Sequence, residues 1–273
     1  MNDVTPSALR IASAAAGTSP ASADARGGAR PVTGADTFLG GRVRVEQPQT
    51  GFRSGLDAVM LAASVPARPG ETALELGAGA GAASLCLAAR VPHVVITGVE
   101  ISADLAALAS RNAAVNGMAA RVNFAAADVF ALPPTLKREF DHVLVNPPFN
   151  GDGQASPDPA RARAQKDEDQ LTDWLKLGFQ RTVSGGYFTA ILRTDRMGEA
   201  LAALPPGGIT VFPLWPRAGE PAKRVILQAR KGSGAALVLM AGLILHDAGG
   251  AYTAEADAVL RCGGALALTG TAR

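Results

Sequence analysis

The stretch that decides the fold is Leu74-Glu75-Leu76-Gly77-Ala78-Gly79-Ala80-Gly81, an apolar run that leads into three closely spaced glycines. The apolar residues predict a buried strand, and the Ala- and Leu-rich residues 82–90 predict a helix directly after the turn. Glycine lets the backbone approach a ligand with no Cβ in between. The third glycine comes one residue earlier than in the G-x-G-x-x-G dinucleotide fingerprint. A strand, a glycine turn and a helix in this order predict a ligand-binding βα unit.

Acidic residues follow the next two predicted strands at the matching place. Glu100 ends the strand predicted over 94–99, and Asp128 follows the strand predicted over 122–126. Ligands of open α/β sheets bind at the carboxyl ends of the strands, so both carboxylates are expected beside the glycine turn. An acid at the end of the second strand can accept hydrogen bonds from ribose hydroxyls. The glycine turn and these acids together predict a nucleoside-binding cleft.

A second motif, Asn146-Pro147-Pro148-Phe149, follows the apolar run Val143–Val145, which predicts a buried strand. Proline fixes φ, and each proline pushes the preceding residue towards extended geometry, so two in succession stiffen the turn. The Asn146 side-chain oxygen and the Pro147 carbonyl are therefore expected to be fixed acceptors at the strand's carboxyl end. With the Phe149 ring beside them, they suit a planar base that carries an amino group.

Strand and helix patterns alternate along most of the chain, which predicts βαβ units and a mostly parallel sheet. The stretches 223–230 and 237–246 both resemble strands, and no helical pattern separates them. The predicted fold is therefore α/β, with a mostly parallel seven-stranded sheet that ends in an antiparallel C-terminal strand and is flanked by helices. Residues 1–36 are rich in Ala, Ser, Gly, Thr and Pro, which predicts a disordered tail before one domain over 37–273.

The composition limits the function classes. Of the 273 residues, 48% are hydrophobic and 18% are charged, which excludes wholesale disorder. The net charge is only +2, so a nucleic-acid surface must be a local patch. No apolar run reaches 18 residues, so no membrane span is expected. The two cysteines and three histidines show no metal-ligand spacing, and reduced, unpaired cysteines fit a cytoplasmic protein.

The chain resembles the class I S-adenosylmethionine-dependent methyltransferases. Glu75–Gly81 is similar to their first motif, Glu100 to their ribose-binding acid and Asp128 to the acid near the cofactor adenine. Asn146–Phe149 is similar to the motif of enzymes that methylate exocyclic or amide nitrogens. Within the class, the chain most resembles the bacterial tRNA(Val) adenine-N6 methyltransferase family. The further segments that carry this resemblance are Phe38–Arg42, Gly51–Leu61, Lys223–Val225, Leu245–Asp247 and Tyr252–Thr253.

The resemblance implies a Rossmann-like fold, S-adenosylmethionine as cofactor and N6-methylation of an adenine in RNA, with tRNA as the expected partner. A monomer without metal is expected. The implied catalytic residues are Asn146, Pro147, Pro148 and Phe149. The implied cofactor-binding residues are Glu75, Gly77, Gly79, Gly81, Glu100 and Asp128, to which the resemblance alone adds Arg53 and Ser54. The expected phosphate-binding residues are Arg42, Arg44, Lys223 and Arg224.

Other substrates and another class of function stay open at the level of sequence. The same turn serves enzymes that methylate bases of ribosomal RNA or DNA, and it serves protein-glutamine methyltransferases. The latter usually carry Tyr at the position of Phe149 and a helical N-terminal domain. A non-catalytic RNA-binding protein that retains the fold is a further alternative. The Gly- and Pro-rich segment Gly151–Asp167 is expected to be a lid or RNA-contacting loop, or a plain solvated loop.

Overall fold

The computed structural model describes residues 33–49, 53–148 and 170–268. Phe149 and the predicted loop at 151–167 lie outside the described residues, as does the predicted tail up to residue 32. The strands are β1 (Thr33–Phe38), β2 (Val43–Pro48), β3 (Thr72–Leu76), β4 (Val95–Glu100), β5 (Val122–Ala126), β6 (Phe140–Val145), β7 (Thr182–Arg193), β8 (Ile209–Trp215), β9 (Arg224–Arg230), β10 (Val238–Leu239) and β11 (Leu243–Ile244). The helices are α1 (Leu56–Ser64), α2 (Ala82–Arg90), α3 (Ala103–Val115), α4 (Leu171–Gln180), α5 (Met197–Ala203) and α6 (Ala254–Leu260).

The described strands form a main sheet and a separate hairpin. The order in the main sheet is β10-β8-β9-β7-β6-β3-β4-β5, and β11 pairs with β8 next to β10. Pairing is parallel except where β9 runs antiparallel to both of its neighbours, β7 and β8. The α/β prediction with a mostly parallel sheet is therefore confirmed, but the described sheet has nine strands instead of seven, because the two-residue strands β10 and β11 pair with β8. The antiparallel strand lies inside the sheet rather than at its end, because β8 pairs on its far side.

Helices cover both faces of the sheet, and successive strand residues alternate between the two cores. In β6, Leu144 packs into the core that α1 and α2 cover, whereas Val143 and Val145 pack into the core under α4 and α5. This alternation follows from the period of two along a strand, and burial on both faces explains the continuous apolar run. Among the described residues, no helix combines the length and the apolar character that crossing a membrane requires.

The first strand begins inside the segment that the composition predicts to be disordered. β1 starts at Thr33 and pairs antiparallel with β2, with Phe38 opposite Val43. Asp36 lies in this strand and forms an ion pair with Arg53. The Gln47 side chain, which is almost fully buried, donates to Asp36 at 2.7 Å. Residues 33–36 thus belong to a hairpin that contacts the segment before α1.

The register of the central strands places the motif residues at one edge of the sheet. Leu76 pairs with Val145 of β6 and with Val99 of β4. The next residues along these strands are Gly77, Asn146 and Glu100. Because the three strands are parallel, these residues emerge side by side at the carboxyl edge, where the sequence places the cleft.

Candidate active site

The glycine turn after β3 adopts backbone conformations that favour glycine. Gly77, Gly79 and Gly81 have φ values of 69°, 55° and 87°. A Cβ at Gly81 would lie 2.6 Å from the ring of Phe124, whereas a Cβ at Gly79 would meet no described atom within 4 Å. The third glycine is therefore required for packing against β5. The second one leaves open space in which a ligand can approach the backbone.

Glu100 is fixed beside this turn. Its side chain lies at the end of β4 and the residue is 8% exposed. One carboxylate oxygen accepts a hydrogen bond from the Gly79 N–H at 2.9 Å, and the other accepts one from the Ser102 N–H at 2.9 Å. Each oxygen retains a further lone pair, so the carboxylate can also accept from ligand hydroxyls.

Glu75 is buried beneath the turn. Its carboxylate accepts hydrogen bonds from the backbone N–H of Ser84, at 2.9 Å, and from the Ser84 hydroxyl. Burial raises the pKa of Glu75 from 4.5 to about 7, an effect that the Ser84 hydrogen bonds oppose and the nearby Glu100 charge reinforces. Within the free protein, this carboxylate therefore connects β3 to the first turn of α2.

Asp128 follows β5 and is exposed. One of its carboxylate oxygens accepts from the Phe130 N–H at 2.9 Å and so caps a short 3₁₀ turn over Val129–Ala131. The second oxygen of Asp128 has no hydrogen bond with another described residue. An exposed carboxylate of this kind can accept from an exocyclic amino group, as the resemblance implies for the adenine of the cofactor.

Asn146 stands at the end of β6, next to Gly77 in the register of the sheet. Its side-chain oxygen Oδ1 is buried and has no hydrogen-bond partner among the described residues. Buried acceptors without partners are rare, because each one loses its hydrogen bonds to water. Pro147 is buried and follows directly, which fixes the direction of the turn. The Asn146 side chain thus presents a buried acceptor, without a partner among the described residues, at the carboxyl edge of the sheet.

An aromatic pair, Trp174 and Phe130, adjoins the glycine turn but belongs to none of the sequence motifs. A Cβ at Gly77 would lie 3.1 Å from the Trp174 ring. The Phe130 and Trp174 rings meet edge to face, with centroids 5.6 Å apart. In the sequence, Trp174 occupies a core position of a helical pattern, which indicates packing alone. Phe130 lies two residues after Asp128, and this closeness to a predicted cofactor-binding acid is the one sequence signal that could have identified it.

Arg53 and Ser54 lie in the segment before α1. The Arg53 guanidinium pairs with Asp36 and donates to the Pro48 carbonyl at 3.0 Å. The Ser54 N–H donates to the side chain of the buried Gln47 at 2.7 Å. These contacts hold the segment against the hairpin. The part in cofactor binding that the resemblance gives to Arg53 and Ser54 stays a prediction.

The predicted phosphate-binding residues divide into two groups. Arg224 lies at the carboxyl edge, opposite Arg193 in the register, and pairs with Asp57 of α1 at 2.9 Å; Lys223 precedes it and is exposed. Arg44, by contrast, lies at the C-terminal end of α3, where its backbone N–H donates to the Asn116 side chain and its carbonyl accepts from it. This helix begins just after Glu100. A helix of 13 residues is about 20 Å long, so the two groups lie towards opposite edges of the sheet.

Arg42 belongs to the second of these groups. Its guanidinium donates to the carbonyl oxygens of Leu39, at 3.2 Å, and Cys262, at 2.7 Å. The side chain therefore also joins the hairpin to the end of the chain after α6. Within the described ranges, no group of three or more His, Cys, Asp or Glu side chains could hold a metal ion.

The strand order, the glycine turn with Glu100 beside it and the Asn-Pro-Pro turn define a class I S-adenosylmethionine-dependent methyltransferase. Residues 55–173 match the family model described as "Methyltransferase small domain". The open approach to the Gly79 backbone and the Glu100 carboxylate fit the cofactor of this class, S-adenosylmethionine.

Relatives and a solved structure narrow the class to a family. A tRNA1(Val) (adenine(37)-N6)-methyltransferase from Aeromonas salmonicida is 30% identical over 217 residues, which cover 77% of this chain and 89% of the relative. One from Yersinia enterocolitica is 29% identical over 201 residues, or 70% and 78% of the two chains. The crystal structure of a predicted O-methyltransferase, protein Atu636 from Agrobacterium tumefaciens, has a TM-score of 0.65 and 31% identity, and the match covers 77% of this chain and 98% of that one. The chain belongs to the tRNA1(Val) (adenine(37)-N6)-methyltransferase family.

Proposed function

We propose that this enzyme transfers a methyl group from S-adenosylmethionine to the N6 amino group of an adenine in tRNA, and that adenine 37 of a valine tRNA is its substrate. The observation that carries the proposal is the buried Oδ1 of Asn146 next to the glycine turn, which has no hydrogen-bond partner in the described part of the chain. The names of the curated relatives support the choice of base and RNA.

The lone pair of an adenine amino group is delocalised into the ring, so the free base is a poor nucleophile. Accepting hydrogen bonds from its N–H groups favours a pyramidal nitrogen with the lone pair available. We assign one such bond to Asn146 Oδ1 and the second to the Pro147 carbonyl. The two acceptors orient the nitrogen and stabilise positive charge as it develops there.

The residues that would hold the cofactor are the glycines of the turn, Glu100 at the ribose and Asp128 at the adenine amino group. When bound, S-adenosylmethionine supplies an electrophilic methyl carbon on a sulfonium. No side-chain base is needed at the start, because the amino nitrogen becomes strongly acidic only once it is methylated, and it then releases its extra proton to water. An asparagine, which cannot take up a proton at neutral pH, suits this order of events.

The target base must leave the anticodon-loop stack to reach such a pocket, and we assign Phe149 to stack on it. Lys223 and Arg224 lie at the same edge of the sheet as Asn146 and are proposed to contact RNA phosphates there. Arg42 and Arg44 would then contact a more distant part of the RNA. The proposal includes action as a monomer in the cytoplasm, where tRNA is modified.

The substrate is tested with transcripts of valine tRNA that carry adenine or guanine at position 37. The purified enzyme and methyl-labelled cofactor are incubated with each RNA, and the nucleosides are analysed by mass spectrometry. We expect N6-methyladenosine from the first transcript and no label in the second.

Parallel reactions with ribosomal RNA, DNA and a release factor test the other substrates of the Asn-Pro-Pro turn. Label in one of these with none in tRNA would overturn the choice of substrate. Label in no acceptor at all, with the cofactor bound, would contradict the enzymatic proposal.

A further inference from the structure

Trp174 lies in the first turn of α4 and packs against the glycine turn. The residue is only 6% exposed. Two atoms of its six-membered ring, Cη2 and Cζ3, lie 3.1 and 3.3 Å from the place where a Cβ of Gly77 would stand. The indole and the Gly77 backbone are therefore in close contact. The position of the ring depends on glycine at that point of the turn.

The same indole also contacts a residue that follows β5. Its ring meets the Phe130 ring edge to face, at an interplanar angle of 79°. Phe130 is 44% exposed and follows Asp128, the acid assigned to the cofactor adenine. Trp174 thus spans from the turn after β3 to the residues after β5. An aromatic surface in this position suits a flat heterocycle.

The indole N–H supplies a second, independent observation. Trp174 Nε1 is buried and has no hydrogen-bond partner among the described residues. An indole nitrogen can only donate, and a buried donor without a partner is unfavourable. The chain's other tryptophan, Trp215, does have a partner, since its Nε1 donates to the Ala241 carbonyl at 2.9 Å.

Two buried polar atoms on residues around Gly77 have no partner among the described residues, and they are opposite in kind. Asn146 Oδ1 is an acceptor on the residue that directly follows β6, whereas Trp174 Nε1 is a donor on the indole whose six-membered ring contacts Gly77. The acceptor is accounted for by the amino group of the target base. Nothing in the proposed reaction accounts for the Trp174 donor. Its burial without a hydrogen-bond partner is also unfavourable in free energy.

We propose that Trp174 is a cofactor-binding residue: its indole and Phe130 form an aromatic wall of the S-adenosylmethionine pocket, and its N–H donates a hydrogen bond to the bound cofactor. A ring nitrogen or the carboxylate of the cofactor is the acceptor. The proposal concerns the cofactor alone and does not depend on the identity of the RNA.

The first test uses fluorescence, because the chain contains two tryptophans. The variant Trp215→Phe leaves Trp174 as the sole indole, and Trp174→Phe leaves Trp215. Each protein is titrated with S-adenosylhomocysteine, which carries the same adenosine and cannot react. We expect the emission of Trp174 to change and to saturate at the concentration that calorimetry gives for binding. We expect the emission of Trp215 to stay constant.

The second test measures affinity by calorimetry. Trp174→Phe retains an aromatic ring but loses the donor, and we expect about tenfold weaker binding of S-adenosylhomocysteine, the effect of one lost hydrogen bond. The matched control, Trp215→Phe, loses a donor that already has a partner elsewhere. Its affinity is expected to stay within about twofold of the wild-type value.

Constant Trp174 emission while calorimetry shows binding would overturn the proposal, and so would unchanged affinity in Trp174→Phe. The fluorescence test leaves position 174 intact, so it decides the question even where Trp174→Phe fails to fold. Absence of binding to the wild-type protein would contradict the cofactor assignment itself. A negative result with tRNA would leave the proposal about Trp174 unaffected.

Discussion

At the scale of single residues, the site combines carboxylates that look similar in the sequence and differ in their surroundings. Glu100 accepts hydrogen bonds from the backbone N–H groups of Gly79 and Ser102, whereas Glu75 lies beneath the turn and accepts from Ser84. Burial raises the pKa of Glu75 to about 7, so a pH-dependent contribution to stability is expected from this buried acid.

We predict that Glu100→Ala weakens cofactor binding about 10- to 100-fold, because the ribose hydroxyls lose a charged acceptor and Gly79 loses the group that fixes it. Calorimetry with S-adenosylhomocysteine measures the change. Glu139→Ala serves as the control, since Glu139 precedes β6 at the opposite edge and pairs with Lys231. Equal cofactor affinities for the two variants would contradict the assignment of Glu100 to the ribose hydroxyls.

A second prediction concerns the pH dependence of stability. The folded-state pKa of Glu75 is about 7, above its ordinary value of 4.5, so the folded protein retains a proton that the unfolded chain releases between these values. This contribution to the free energy of unfolding is fully present below pH 4.5 and is lost as pH rises through 7. By pH 8 the loss amounts to about 3 kcal/mol at most.

Glu75→Gln removes this titration while keeping an oxygen that can accept from Ser84. We expect the variant to gain stability relative to the wild-type protein as the pH rises from 5 to 8. Urea unfolding at both pH values measures the difference. A stability difference between the proteins that does not change with pH would show that Glu75 titrates as it does in the unfolded chain.

At the scale of elements, glycine sets how closely α4 approaches the sheet. A Cβ at Gly178 would lie 2.2 Å from the ring of Phe188, a fully buried residue of β7. The helix and strand are therefore in contact at this point through a backbone without a side chain. The position of α4 in turn fixes Trp174 over the glycine turn.

We predict that Gly178→Ala lowers the free energy of unfolding by about 1–3 kcal/mol, since overpacking outweighs the better helix propensity of alanine. The matched control is Gly198→Ala in α5, where a Cβ meets no described atom within 4 Å. There we expect a gain of about 0.5–1 kcal/mol. Urea unfolding compares the two, and equal stabilities would contradict the packing argument.

Sequence periodicity predicts elements better than it predicts their neighbours. The strands around Glu75, Glu100 and Asn146 are identifiable because apolar runs end in glycine, acid or proline. The insertion of β9 between β7 and β8 depends on long-range pairing, which no local pattern encodes. β1 has a similar origin: its sequence, Thr-Gly-Ala-Asp-Thr-Phe, is weakly apolar and forms a strand by pairing with β2.

At the scale of the whole molecule, the parallel sheet brings together motifs that are far apart in the chain. Gly77 and Asn146 are separated by 69 positions but leave adjacent strands side by side. The sequence motifs predict this meeting, because both follow strands of one parallel sheet. They do not predict that Trp174 joins it, since an indole in a helix core has the same local pattern whatever it covers.

The most direct test of the central claim is the turnover of Asn146→Ala with methyl-labelled cofactor and adenine-37 valine tRNA. We predict a loss of at least about 100-fold in kcat, as expected for one preorganised hydrogen-bonding group, with cofactor affinity nearly unchanged. Asn123→Ala, at an exposed position of β5, is the control and should retain full activity. An Asn146→Ala enzyme that keeps most of its turnover would show that the Asn146 oxygen does not act on the target amino group.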